Sequence, residues 1–146
     1  MMVTTRAFWV SVVLILLSVG ATQAGTLSTS LAPSVGVGGD NTSNQCILLN
    51  VSTSAIKSVT IAEYAATFCE GATGNNPCHT VLKNTVTCAD LQPNDFCNLY
   101  DDAVYYQESW CQFTVSGSSK NVSASMNVYD KTTAQTLAVL PATVIK

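Results

Sequence analysis

The chain has a single candidate for the histidine that most often acts as a general base. His79 is the only histidine and directly follows Cys78. The members of a serine–histidine–aspartate triad need not be neighbours in sequence, so a triad is compatible with the composition. However, there is no Gly-x-Ser-x-Gly motif to mark a nucleophile at a strand-to-helix turn. We therefore interpret His79 as a loop residue, expect no enzyme, and keep a small secreted hydrolase as an alternative.

Carboxylates are concentrated in the second half of the chain, where they could supply oxygen ligands for Ca²⁺. They include Asp90, Asp95, Asp101 and Asp102. Their spacing lacks the Asp-x-Asp-x-Asp-Gly order of an EF-hand loop. No pair is marked as the two carboxyls that a glycosidase holds across its cleft. We interpret Asp101 and Asp102 as a solvated turn and predict no metal ion and no cofactor.

Cysteines give the strongest chemical signal. The six cysteines are Cys46, Cys69, Cys78, Cys88, Cys97 and Cys111. Their shortest separation is nine positions, whereas paired zinc ligands are separated by only a few residues. An even number of cysteines behind a secretion signal predicts disulfides, here three.

The cysteine spacing suggests one pairing among the fifteen that six cysteines allow. Cys69 and Cys78 flank one turn-rich loop, and Cys88 and Cys97 flank a second. Each pair could close the base of a hairpin, which leaves Cys46 for Cys111. We therefore predict the bridges Cys46–Cys111, Cys69–Cys78 and Cys88–Cys97.

An aromatic cluster is the clearest candidate binding site. Tyr100, Tyr105, Tyr106 and Trp110 fall within eleven positions. Aromatic rings near polar groups bind sugars or protein partners. Because neighbouring residues of a strand point to opposite faces, one of Tyr105 and Tyr106 should face solvent. We name these two tyrosines as possible ligand-binding residues and expect Trp110, beside Cys111, to lie in the core.

The elements that position these residues follow an N-terminal segment typical of a cleaved signal peptide. Arg6 precedes an apolar run over residues 7–17, and small residues follow. Cleavage fits after Ala21 or, as we prefer, after Ala24. An uncleaved membrane anchor is the alternative, but the run is shorter than the roughly 20 residues that a spanning helix needs.

Removing 24 of the 146 residues leaves a chain of single-domain length. It loses only Arg6 among the basic residues, so the formal charge changes from −3 to −4. Without a basic stripe we expect no nucleic-acid partner, and no membrane contact after cleavage. We predict a secreted or periplasmic protein with a signal peptide over 1–24, a flexible leader over 25–44 and a disulfide-rich domain over 45–146.

The sequence pattern of the domain predicts an all-β fold. Short runs with apolar residues at alternate positions are separated by turn residues, which predicts half-buried antiparallel strands. The predicted strands cover 46–51, 57–61, 81–86, 96–100, 105–115, 122–129 and 136–140. About seven strands of this kind favour a two-layer antiparallel β-sandwich with Greek-key or meander connections. The alanine-rich stretch 61–68 could instead form two helical turns.

Several short motifs together resemble a loose group of small, uncharacterised bacterial secreted proteins predicted to be immunoglobulin-like β-sandwiches. The motifs are Cys46-x-x-x-Asn50-Val51-Ser52, Val59-Thr-Ile61, Leu91-x-Pro93, Trp110-Cys111-x-Phe113-Thr-Val115-x-Gly117 and Val122-x-Ala124-Ser125. The resemblance covers about residues 45–141 and implies that Cys46 pairs with Cys111. Four further cysteines in a longer middle section distinguish this chain. The group has no established activity, so the resemblance implies a fold and a compartment but no function.

These observations favour a non-catalytic secreted or periplasmic module with a structural role or an unknown protein or glycan partner at the cell surface. The alternative is a disulfide-rich inhibitor of an extracellular enzyme, which would present residues 70–77 or 89–96 as a preorganised loop. The three Asn-x-Ser/Thr sequons, at Asn41, Asn50 and Asn121, are about as many as the composition gives by chance. They are therefore no evidence for glycosylation.

Overall fold

Alternating apolar and polar side chains form strands whose apolar faces pack against each other. A computed structural model of the chain describes residues 24–30, 32–33, 42–66, 79–101 and 108–145. Within these residues there are ten strands and one short 3-10 turn, Ser119–Asn121. The strands are β1 (Gly25–Ser28), β2 (Ala32–Pro33), β3 (Thr42–Asn50), β4 (Ile56–Ala66), β5 (Thr80–Leu91), β6 (Phe96–Asp101), β7 (Glu108–Val115), β8 (Val122–Asp130), β9 (Thr136–Pro141) and β10 (Thr143–Val144).

The strands form two antiparallel sheets that pack as a sandwich. The first sheet has the order β10-β1-β7-β4-β5, with β2 also paired to β7. The second sheet has the order β6-β3-β8-β9. Only β4–β5 and β8–β9 are hairpin neighbours within a sheet, so most pairings join strands that are distant in sequence. The prediction of an all-β, disulfide-stapled, two-layer antiparallel sandwich is confirmed.

The seven predicted strands correspond to β3 through β9, and the helical alternative after Ile61 is wrong for its described part. Residues 61–66 continue β4. Ile61, Glu63 and Ala65 are buried, while Ala62 and Tyr64 between them are only partly buried. A strand is favoured here because β4 pairs on both sides, with β5 and with β7. Tertiary pairing therefore overrides the helix propensity of the alanines.

Part of the stretch interpreted as a flexible leader is paired, so that interpretation is wrong for its described residues. In β1, Leu27 lies opposite Phe113 of β7 and is buried in the core. The β2 strand also pairs with β7, and β3 begins at Thr42. A chain rich in glycine and hydroxyl residues forms a strand here because one apolar residue anchors it and the neighbouring strands β7 and β10 satisfy its backbone hydrogen bonds.

Two disulfides hold the sandwich together. Cys46–Cys111 joins β3 to β7 through the core, and both residues are buried. Cys88–Cys97 joins β5 to β6 and so also connects the two sheets. Both predicted pairings are confirmed, whereas Cys69–Cys78 lies outside the described residues. Disulfides of this kind persist in oxidising compartments, extracellular or periplasmic.

The core occupies the space between the two sheets. Its largest fully buried apolar side chains are Phe113, Leu48, Ile61, Met126, Val59 and Val115. They occupy alternate positions on their strands, as the sequence pattern predicts. Residues 1–23, which include most of the predicted signal peptide, lie outside the described residues. Among those that are described, no helix has the length and apolar character needed to span a membrane.

Candidate functional site

A cleft of about 260 Å³ opens on the outer face of the four-stranded sheet. Its lining residues are Ser43, Gln45, Tyr100, Tyr129, Asp130, Lys131 and Ala134. Strand register assembles it, because Gln45 of β3 lies opposite Tyr100 of β6, and Ser43 lies opposite Tyr129 of β8. Two tyrosines thus flank the polar side chains of β3. A small concave site with a few convergent polar groups is typical of a ligand-binding site.

Uncharged side chains form a hydrogen-bonded series that leads along β8 into this cleft. On β8, Ser125 Oγ donates to Asn127 Oδ1 (3.2 Å), and Asn127 Nδ2 donates to the Tyr129 hydroxyl (3.1 Å). The Tyr129 hydroxyl in turn donates to Gln45 Oε1 on β3 (3.0 Å). All four side chains are only partly buried. The Tyr129 hydroxyl, on a residue that lines the cleft, is therefore held by hydrogen bonds on two sides.

The opposite wall of the cleft is formed by Tyr100. Its hydroxyl donates to Ser43 Oγ (3.0 Å), and Ser43 is buried beneath it. Tyr100 itself is 48% exposed, so about half of its surface remains accessible. Within the described part of the chain, Gln45 bonds through Oε1, and its Nε2 group has no protein acceptor. A ligand oxygen can accept from that amide.

The third wall is a tight turn between β8 and β9 that Asp130 holds closed. Asp130 Oδ1 accepts from the backbone N–H groups of Thr132 (2.7 Å) and Thr133 (3.0 Å). The Ala134 N–H donates to the Asp130 carbonyl (2.8 Å), and Ala134 has a left-handed φ of 55°. The hydrogen bonds from Thr133 and Thr132 hold the pKa of the Asp130 carboxyl below its usual 3.8. This side chain is therefore an ionised acceptor at neutral pH.

The chemistry available in the cleft is recognition of a polar, uncharged ligand. Its floor presents hydroxyl and amide groups, and its two charged residues, Asp130 and Lys131, are of opposite sign. Tyrosine combines a large apolar ring with a polar hydroxyl, which suits a ligand that has both a hydrocarbon face and hydroxyl groups.

The predicted aromatic cluster is divided between the two sheets. Tyr100 lines the cleft, whereas Trp110 lies on the outer face of the other sheet, stacked on Tyr64 with ring centroids 4.5 Å apart. Trp110 Nε1 donates to Thr80 Oγ1 (3.2 Å). The expectation that Trp110 lies in the core is wrong because its neighbour Cys111 already points inward, and alternate residues of a strand face opposite sides.

Tyr105 and Tyr106, the two residues named as possible ligand contacts, lie outside the described residues together with Asp102. His79 is exposed just before β5. No three histidine, cysteine, aspartate or glutamate side chains within the described ranges are close enough to share a metal ion. Glu63 is a buried carboxylate between the sheets and does not line the cleft.

A second hydrogen-bonded centre lies at Asn50, which is fully buried. Its Nδ2 donates to the carbonyls of Ser54 and Leu91, at 2.9 Å each. Its Oδ1 accepts from the backbone N–H (3.0 Å) and the hydroxyl (2.7 Å) of Ser52. The backbone of Asn50 is bonded as well, to the N–H of Asn94 and the carbonyl of Asp95. This side chain fixes the loop after β3 against the loop between β5 and β6.

The loop between β5 and β6 is held rigidly and ends in an exposed ring. Asp95 Oδ2 accepts from the Gln92 N–H (3.1 Å), and the Asp95 N–H donates to the Gln92 carbonyl (3.0 Å). Asn94 adopts the left-handed φ of 67° that such a turn requires. Phe96, which directly follows Asp95, is 57% exposed. The loop therefore presents a large apolar side chain on a preorganised backbone.

Comparison of the chain with protein-family models, curated proteins and solved structures finds no match. Sequence reasoning missed Tyr129, Gln45 and Ser43 as site residues. The outward series Ser125, Asn127 and Tyr129 on β8 was the available signal, because three polar residues at alternate positions share one face.

Proposed function

We propose that this protein is a secreted or periplasmic, non-catalytic binding module that recognises a neutral sugar in the cleft on its four-stranded sheet. The observation that carries the proposal is the oriented series from Asn127 through Tyr129 to Gln45. It leaves the Gln45 amide nitrogen available beside two tyrosine rings. Sugar hydroxyls can replace solvent at such groups while the hydrocarbon face of the sugar packs on a ring.

The electrostatics of the cleft support binding rather than catalysis. A general acid that works near neutral pH needs a pKa close to that pH. The pKa of the Asp130 carboxyl is shifted the other way, by the backbone hydrogen bonds of its own turn. We therefore assign Asp130 to holding the turn and, through its second oxygen, to accepting a ligand hydroxyl.

The proposal is tested on an array of neutral, acidic and basic glycans probed with the processed protein, its disulfides intact. We expect neutral glycans to be retained, and retention to fall at least tenfold for Gln45→Ala. Gln112→Ala is the matched control, since Gln112 is a glutamine that is partly buried like Gln45 but lies on β7 of the other sheet and does not line the cleft. Retention of acidic glycans alone, or equal retention by both variants, would overturn the proposal.

A second candidate function is inhibition of an extracellular enzyme through the loop over residues 89–96. It is favoured by the exposed Phe96 on a backbone held by the Cys88–Cys97 bridge and by Asn50. A rigid loop loses little conformational entropy on binding. A panel of secreted proteases and glycosidases at micromolar protein should then include one enzyme that wild-type protein inhibits and Phe96→Ala does not. Absence of any inhibition would exclude this function for the panel.

Secretion itself and the immunoglobulin-like relationship are also proposals. The disulfides support an oxidising compartment. A bridge between the two sheets, through Cys46 and Cys111, resembles the inter-sheet bridge of antibody domains. The strand that follows the second of these cysteines, β8, pairs with β3 and not with β7. N-terminal sequencing of the protein recovered from culture medium should begin at Gly25, and an intact Met1 would contradict cleavage.

A further inference from the structure

The outer face of the four-stranded sheet continues beyond the cleft as an uncharged surface along β3. Every second residue of three neighbouring strands points to it. These residues are Ser43, Gln45, Ile47 and Leu49 of β3, Phe96, Asn98 and Tyr100 of β6, and Ser123, Ser125, Asn127 and Tyr129 of β8. None of the eleven carries a charge. We call this set the β3 surface.

The β3 surface has aromatic rings at both ends and polar groups between them. Tyr100 and Tyr129 lie at the cleft end. At the far end Phe96, 57% exposed, lies opposite Leu49, 37% exposed. The middle row has the polar residues Asn98 and Ser125 on either side of Ile47. Apolar contacts and hydrogen-bonding groups therefore alternate along one direction, parallel to β3.

The length of this surface exceeds what a single sugar can contact. Leu49 is four positions after Gln45, which at about 3.3 Å per residue is roughly 13 Å of strand. The cleft itself is about 260 Å³ and holds only one end of such a path. A ligand that reaches both the tyrosines and Phe96 must be extended.

Building on the proposed function, we infer that the ligand is a neutral oligosaccharide chain that lies along β3, with one end in the cleft and a later sugar packed on Phe96. Absence of charge over the β3 surface matches an uncharged polymer, since an anionic or cationic chain would find no counter-charge between the two ends. The mixture of rings and amides matches sugar units, each of which presents a hydrocarbon face and hydroxyl edges. The exposure of Phe96 is thereby explained as a second contact for the same ligand.

The test uses two defined series of oligomers, cello-oligosaccharides and chito-oligosaccharides of two to six units, titrated calorimetrically into the processed protein. We expect affinity to rise at least tenfold between the dimer and the longest oligomer of the preferred series. Phe96→Ala should remove that gain and leave the affinity for the dimer unchanged. Tyr129→Phe should weaken binding of every oligomer.

The matched control is Val139→Ala. Val139 is as exposed as Phe96 but lies on β9, outside the β3 surface. This variant should retain the full dependence on length. Equal affinity for dimers and longer oligomers, or an unchanged length dependence in Phe96→Ala, would overturn the inference while the sugar-binding cleft stands. No binding of any oligomer by wild-type protein would refute both for these glucan and chitin series, and binding of an extended peptide instead would assign the surface to a protein partner.

Discussion

Two hydrogen-bonded centres of uncharged side chains lie on β3, one at each end of the strand, and they differ in what they bond to. At one end, Asn50 is fully buried, and its side chain bonds to main-chain groups of neighbouring loops. At the other end, Gln45 and Tyr129 bond to each other and remain partly exposed. The first centre holds neighbouring loops together, whereas the second leaves hydrogen-bond donors accessible to solvent.

The difference shows how a structural amide can be distinguished from a binding one. Backbone carbonyls that become buried on folding lose their hydrogen bonds to water. A buried amide that donates to them takes the place of that water, so its removal lowers stability. A partly exposed amide that bonds to another side chain can exchange that contact, or use its remaining donors, for a ligand. The same residue type therefore serves two purposes, and burial together with the identity of the partner separates them.

The largest effect that we expect is loss of stability in Asn50→Ala. It leaves the Leu91 and Ser54 carbonyls without their donor and should lower the free energy of unfolding by about 3 kcal/mol. Urea unfolding measures this, with Asn98→Ala as an exposed amide control that should change stability by less than about 0.5 kcal/mol. Sugar binding per folded molecule should be unchanged in Asn50→Ala. A stable Asn50→Ala variant that has lost binding would reverse the two assignments.

The next effect concerns the opposite end of β3. Tyr129→Phe removes the hydroxyl that accepts from Asn127 and donates to Gln45. Because these groups are partly exposed, we expect the free energy of unfolding to fall by less than about 1 kcal/mol. Sugar affinity should fall roughly tenfold, equivalent to about 1.4 kcal/mol. Calorimetric titration of the wild type and the variant measures this loss of affinity. Unchanged affinity would show that the hydroxyl is not part of the site.

The smallest effect is a dependence on acidic pH through Asp130. Its pKa in the folded protein is lowered, first by the hydrogen bond from the Thr133 N–H. A carboxyl with a depressed pKa stabilises the fold above its unfolded pKa of 3.8 and loses that contribution as the pH falls through the lower folded value. Sugar binding should therefore be constant from pH 5 to pH 8 and weaken below about pH 4 as the turn loosens.

Asp130→Asn tests that assignment, because the amide keeps an oxygen that can accept from Thr132 and Thr133 and cannot titrate in this range. We expect the variant to bind sugar at pH 7 and to lose the decline below about pH 4. Measuring the sugar affinity of both proteins across this pH range gives the comparison. A decline in wild type that is centred between pH 5 and pH 8 would point to a different titrating group.

Much of the fold could be predicted from the sequence because strand alternation is local information. The alternating apolar residues from Val122 to Val128 predict one inward face, and they form that face on β8. The short strand β1 could not be recognised because four residues carry too little pattern, and its partner β7 is distant in sequence. Its start at Gly25 depends on a tertiary contact, since a Cβ there would lie 2.8 Å from Ser119.

The cleft could be predicted only in fragments. Tyr100 belonged to the visible aromatic cluster, but Tyr129 is far from it in sequence and joins it through the pairing of both neighbouring strands with β3. Asn50 was visible in the sequence as part of a strand, of a short motif and of a sequon, none of which indicates its buried hydrogen bonds. Its structural role depends on the approach of the Leu91 carbonyl, 41 positions later. Register and long-range contacts set both sites, and neither is encoded in local periodicity.

The most direct test of the sugar-binding account is a titration of isotope-labelled protein with cellotetraose and chitotetraose, followed by the backbone amide signals in NMR spectra. The account predicts that the shifted signals belong to the cleft and the β3 surface, around Gln45, Tyr100 and Tyr129, with little change on the other sheet. Shifts confined to the Tyr64–Trp110 pair, or no shifts with either sugar at millimolar concentration, would contradict it.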